Sequence, residues 1–178
     1  MKNYLVIKRK VKYLRLEIRE FNLRVIVPEG FSGDVEKVIE RHKRWLEKKF
    51  ALLNEIKSLS EGLEIYNHEN LEEIVDGYID EISQILKVRP KEVSFRNMKV
   101  RWGSCTSDGR LIFNKKLKFL PKELIRYVAI HEMCHLLVRN HKKEFWQLVE
   151  KLCPEFKNYQ KLLVGYKMRL ENNFKLSY

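Results

Sequence analysis

Three of the five histidines in this 178-residue chain fall within eleven positions, His131-Glu132-Met133-Cys134-His135-Leu136-Leu137-Val138-Arg139-Asn140-His141. On an α-helix, residues four apart differ by about 40° in direction and about 6 Å in rise. His131 and His135 can therefore turn both imidazoles toward one ion, as zinc bonds of about 2.0 to 2.1 Å require. Glu132, about 100° round, stands beside such an ion rather than on it. From there a carboxylate can take a proton from metal-activated water and later hand it to a leaving group. His141 lies six positions past His135, which on a continuing helix would put it about 240° away and about 9 Å further on. The helix must stop first. Asn140, which tolerates the left-handed conformation that ends helices, is the expected stop, and a turn there would swing His141 back as third ligand. A fourth position would stay open for water, as catalysis needs. Glu144, Glu150 and Glu155 are carboxylate alternatives to His141 in that role.

The pattern is specific. At this chain's His and Glu content, an H-E-x-x-H with a third histidine at a fixed offset is expected by chance in about 0.0004 of chains this long. The neighbouring residues read as packing. Cys134 points about 60° to the other side of His131 and is expected to be a small buried apolar residue, as are Cys105 and Cys153. His42 and His68 lie far off in sequence and read as surface or capping histidines. Phe145 and Trp146, just after the motif, read as core.

The elements that must position these residues follow from periodicity. Alternation marks strands near Tyr4 to Lys8, Lys12 to Arg19 and Leu23 to Val27, with a turn at Glu20-Phe21-Asn22, an antiparallel meander closed by Pro28 and Gly30. From Asp34, an N-cap, to about Ser58, the positions Val35, Val38, Ile39, Leu46, Phe50, Leu53 and Ile56 predict one long helix. A polar stretch at 60–70 is the internal linker, and Leu71 to Leu86 is a second helix, ended by Arg89-Pro90. Val93 to Phe95 and Lys99 to Ser104 read as extended, and Ser107-Asp108-Gly109 is a turn before Leu111 to Phe113, so a hairpin precedes the histidine motif. Pro121 opens the helix that carries the motif, expected to run to about Arg139. Two more follow, Lys142 to Cys153 and Glu155 to about Asn172, split by Pro154. The organisation is thus α+β, with 1–60 as meander plus long helix and 61–178 as the core carrying the motif, together one compact unit.

Composition bounds the rest. With 44% hydrophobic and 34% charged residues, 7 Gly and 4 Pro, collagen-like, low-complexity and disordered classes are excluded. Tyr4-Leu5-Val6-Ile7 is too short for a signal sequence, and no uncharged run approaches the roughly 20 residues that span a bilayer. The expected setting is the cytoplasm, with no membrane partner. Three cysteines offer neither a disulfide framework nor a zinc ribbon and read as reduced thiols. The net charge of +12 points to acidic or phosphate-rich partners, or to a solvated Lys/Glu surface.

The residues Arg101-Trp102-Gly103-Ser104-Cys105, Asn114, Tyr127-Val128, His131-Glu132, Cys134-His135-Leu136, Asn140-His141 and Phe145-Trp146 resemble those of the YgjP-like metallopeptidase family, a zincin-like branch related to the SprT-like proteins. Leu14 to Pro28 and the Trp45-Leu46 helix are similar too. Lys115 departs from the aromatic frequent after Asn114, and the chain is shorter than is common there. The resemblance implies a zincin-like core with one zinc per chain on His131, His135 and His141, and Glu132 as catalytic residue. It also implies a cleft-lining strand on which an extended peptide adds as another strand. The expected function is a zinc-dependent hydrolase, in first place a metallopeptidase acting on peptide or protein. One alternative is a nucleotide phosphohydrolase on the same site, with Arg101, Arg139 and Lys115 as phosphate contacts. Another is a nucleic-acid-associated protein using Lys8-Arg9-Lys10, Arg41 to Arg44 and Lys48-Lys49.

Overall fold

The computed structural model describes residues 4–19 and 21–175, and contacts divide the chain into two units, Met1–Ser58 and Leu59–Tyr178. In the first, β3 (Asn22–Pro28) carries the most apolar strand sequence and lies at the centre, flanked by β1 (Tyr4–Arg9) and β2 (Arg15–Arg19). The β2–β3 pair is the expected antiparallel hairpin, turned at Phe21 with φ of 62°; Glu20 lies outside the described residues. β1 departs from the meander. It runs parallel to β3, with Tyr4 opposite Leu23 and Arg9 opposite Pro28. A meander would leave β3 on an edge, whereas Leu23, Val25, Ile26 and Val27 are all buried and are better served by a strand on either side.

The long helix is also broken. Asp34 caps α1 (Val35–Arg41) as expected, its Oδ1 accepting from the backbone N–H of Glu36 at 2.9 Å and Lys37 at 3.1 Å. At His42 the ring Nδ1 turns back to the Val38 carbonyl at 2.8 Å, and α2 (Lys43–Glu61) restarts beyond it. A side chain inserted into the i→i−4 ladder is a known cause of such a break, and it fulfils the capping expectation for His42. Leu23, Val25, Val27, Ile39 and Leu46 form this unit's core.

In the second unit α3 spans Leu71–Leu86, as the periodicity predicts. A three-stranded sheet follows, with β6 (Arg110–Asn114) between β4 (Glu92–Arg96), parallel to it, and β5 (Gly103–Cys105), antiparallel. The β5–β6 hairpin is present, turned at Gly109 with φ of 88°, but residues 99–102 are a loop rather than an extension of β5. A 3₁₀ turn (Lys115–Phe119) leads to Pro121 and α4 (Lys122–Cys134), then α5 (Lys143–Leu152) and α6 (Phe156–Lys175). The α+β class is as read from the sequence.

α4 is the centre of this unit. It contacts α3, α5, α6 and β5, and Leu124, Ile125, Val128, Ala129, Ile130, Met133 and Cys134 are all buried along it. A helix apolar on almost every side is a core helix. Two polar residues on it, His131 and Glu132, therefore sit where polar groups are costly unless they have work to do. Among the described residues, no helix is long and apolar enough to cross a membrane.

Candidate metal centre

α4 ends at Cys134, five residues before the expected stop, and His135 is its C-cap. The chain leaves through tight turns, Leu136 N–H to the Met133 carbonyl and Leu137 N–H to the Cys134 carbonyl. Asn140 has no positive φ and does not end the helix; its Oδ1 accepts from Lys142 N–H at 3.1 Å and leads into α5. What stops α4 is local to His135. Its Nδ1 bonds the Val138 carbonyl at 3.0 Å, which draws the chain back across the helix end. The turn nevertheless returns His141 to the other two histidines.

The candidate ligand atoms of His131, His135 and His141 all lie within 4.8 Å of one another. His141 Nε2 is 3.1 Å from the Nε2 of both His131 and His135. Tetrahedral bonds of about 2.0 to 2.1 Å place ligand nitrogens about 3.3 Å apart, close to this spacing. A carbonyl only accepts, so the Val138 contact puts the His135 proton on Nδ1 and leaves a lone pair on Nε2, as a metal ligand needs. Burial, aided by the other two imidazoles, pulls His131 down to about 3, and burial lowers His135 as well, so both stay neutral. The residues fit a divalent cation. Among the described residues no carboxylate joins the group: Glu155 accepts from the Tyr159 hydroxyl at 3.1 Å, and Glu150 lines a different depression.

Phe145 holds the three rings together. It is fully buried, and its centroid lies 4.9, 4.4 and 4.7 Å from those of His131, His135 and His141, stacked on His135 and edge-on to the others. Trp146 stacks on His141 at 5.6 Å and on Phe156 at 5.3 Å. Both are core, as expected, and the core they form is the floor of the site.

Glu132 is buried at 6% exposure, directed at β5. Burial pushes its carboxyl up to about 8, against the opposing pull of the Arg101 charge and the Cys105 N–H, which donates to it. Gly103 makes this position possible. A Cβ there would lie 2.6 Å from Glu132 Cγ and 2.7 Å from Oε1, so only glycine lets the carboxyl pack against the strand.

These groups open into a cleft of about 630 Å³. One wall is Val100 to Cys105; another comes from α6 through Gln160, Leu163 and Val164, which no chemical signature in the sequence marked. Arg101 and Arg139 line the cleft, and Lys115 does not. Arg139 is committed elsewhere: its guanidinium donates to the Thr106 carbonyl at 2.6 Å and the Ser107 carbonyl at 3.0 Å, tying the segment after α4 to the hairpin turn. Cys134 and Cys153 are buried as expected, the former with its thiol pushed up to about 12. Cys105 is not; it lines the cleft, because β5 is an edge strand and its side chain lies between the sheet and Arg139. His68 is remote and structural, its Nε2 3.0 Å from the Leu120 carbonyl.

Comparison with known proteins places this geometry. No match is found among curated protein sequences. Among solved structures, the metallopeptidase zymogen of Pyrococcus abyssi abylysin is similar at 25% identity, over 53% of this chain and 96% of that one, with a TM-score of 0.49. Wss1 from Saccharomyces cerevisiae is similar at 17% identity, over 52% of this chain and 78% of that one, with a TM-score of 0.43. Residues 54–165 match the YgjP-like metallopeptidase domain. Every cleft residue from Val100 to Val164 falls inside that span, which takes in well over half of the sequence, and the chain belongs to the YgjP-like metallopeptidase family.

Proposed function

We propose that the protein is a zinc-dependent peptidase in which His131, His135 and His141 hold one zinc ion and Glu132 is the general base. The observation that carries this reading is the convergence of three imidazole nitrogens, one with its tautomer fixed for ligation, beside a buried carboxyl in an open cleft. A zinc ion so held supplies a Lewis acid, polarising a carbonyl and making water acidic near neutral pH. Glu132 takes one proton from the water as its oxygen bonds to the scissile carbonyl carbon. It then gives that proton to the amide nitrogen as the C–N bond breaks, releasing the amine and a carboxylic acid that loses its remaining proton to solvent. The Cys105 N–H donates to the Glu132 carboxylate and keeps it oriented for the uptake.

The cleft wall favours peptide over phosphoanhydride. Val100, Trp102, Val128, Leu163 and Val164 give it an apolar lining, with Val100 71% exposed in wait of cover. With Arg139 committed to carbonyls and Lys115 outside the cleft, too few cations remain to cradle a triphosphate. The edge of β5 offers main-chain groups to an extended substrate. The basic runs of α1 and α2 are interleaved with glutamates, and Lys43 pairs with Glu40 at 3.1 Å, which supports a solvated face over a nucleic-acid surface. Three free thiols agree with a reducing, cytoplasmic setting.

The test is elemental mass spectrometry on protein purified without chelator, beside His135→Ala. One zinc per chain, absent from the variant, is the expected result. Failure of the wild type to bind zinc when it is added overturns the reading. The Gly103 contact gives a second expectation. Gly103→Ala should retain zinc and lose roughly 10²-fold in kcat/KM toward peptides, because the added methyl displaces the Glu132 carboxyl. Steady-state kinetics with metal analysis on the same sample checks it.

A further inference from the structure

The two guanidinium groups of the cleft differ in how they are used. Arg139 spends its donors on the Thr106 and Ser107 carbonyls. Arg101 is the reverse: its backbone is fixed and its side chain is free. Among the described residues no hydrogen bond or ion pair engages its guanidinium, and none joins it to Glu132, although its charge is felt there.

The fixing is done by Asn114, a 3% exposed side chain at the end of β6. Its Nδ2 donates to the carbonyls of Met98 at 2.8 Å and Arg101 at 2.7 Å. Its Oδ1 accepts from the N–H of Lys116 at 3.1 Å and of Met98 at 3.4 Å, and its own N–H donates to the Trp102 carbonyl at 2.9 Å. A buried amide that uses both ends on one loop exists to hold that loop. Two residues beyond Arg101, Gly103 packs against Glu132. The root of Arg101 is therefore in a set relation to the proposed base, and Arg101, with five N–H donors, lines the cleft close enough for its charge to act on Glu132.

Peptide hydrolysis places negative charge on the scissile carbonyl oxygen, and a donor already positioned there acts most strongly in a dry, apolar setting. Trp102, Ser104, Tyr127 and Gln160, the neutral side-chain donors on the cleft wall, carry no charge to offer. Resting on the peptidase reading above, we propose that Arg101 is a further catalytic residue, its guanidinium donating to the scissile carbonyl oxygen and binding it more tightly as negative charge develops. Asn114 is its positioning residue.

The experiment compares zinc-loaded, full-length wild type, Arg101→Met, Arg101→Lys and Glu132→Gln on the best peptide from a quenched-fluorescent library. Arg101→Met should lose about 10²-fold in kcat with KM within roughly threefold of wild type, and Arg101→Lys should recover about tenfold of that loss. Zinc stoichiometry and Tm should be those of wild type in both, since the side chain supports no contact in the fold. Wild-type kcat in Arg101→Met, a change confined to KM, or a loss of zinc or Tm each overturns the proposal. If Glu132→Gln is inactive and Arg101→Met is fully active, the role of Arg101 alone falls. If wild type cleaves no better than Glu132→Gln, the peptidase reading falls and takes this proposal with it.

Discussion

Glu132→Gln is expected to lower kcat for peptide hydrolysis by about 10³-fold while one zinc per chain remains bound. Glutamine has the shape of the native side chain, so it fills the same space against Gly103, and its carbonyl can still accept from the Cys105 N–H. What it cannot do is take up a proton. The three imidazoles are held by Phe145 and by the Val138 carbonyl, not by Glu132, so nothing in the ligand set depends on the substitution. Folding should not suffer either, because the amide is neutral and fills the same buried space as the carboxyl. Metal analysis, thermal unfolding and kinetics on one preparation decide the matter: retained activity would place the base elsewhere, and lost zinc would make Glu132 part of the ligand framework.

Phe145→Ala is expected to have the largest effect on stability, about 3 to 5 kcal/mol, or a fall in Tm on the order of 10 °C. The ring is fully buried and touches all three histidines and Trp146. Its removal opens a cavity that cannot collapse without moving the imidazoles. Zinc affinity should therefore fall together with stability, although Phe145 offers no ligand atom. Phe145→Leu, which fills much of the space, should recover most of both. Denaturant unfolding with and without added zinc checks the pair; an alanine variant with unchanged zinc affinity would show that the rings do not need their floor.

Much of the site is written in local spacing. His131 and His135 are four apart on a helix, and their separation from Glu132 follows from helix geometry alone. α3 is legible to its ends because its apolar stripe is strong and Arg89-Pro90 follows; in the structure Lys87, in the left-handed conformation, closes it. What local pattern could not supply was pairing at a distance. Nothing in Tyr4 to Arg9 says that it will lie parallel to β3, since alternation is the same for either direction. The break at His42 depends on one side chain choosing a carbonyl over water. The end of α4 depends on the Val138 carbonyl meeting a ring three residues back, which outweighs the ordinary tendency of Leu136, Leu137 and Val138 to continue an apolar helix. Gln160, Leu163 and Val164 carry no chemical signature, and only the docking of α6 brings them to the cleft.

The ligand set proposed here is unequal in its anchoring, and this bears on how the ion arrives and leaves. Two of its members, His131 and His135, belong to a core helix and its cap. The third comes from an irregular segment held by the Arg139 contacts to Thr106 and Ser107. Exchange should then be sequential: capture on a rigid two-nitrogen half-site, followed by closure of the chelate ring by His141, with release in the opposite order. The residence time of the ion would be set by the opening rate of that short segment, so that a surface arginine with no ligand atom governs how long the enzyme stays loaded when free zinc is scarce.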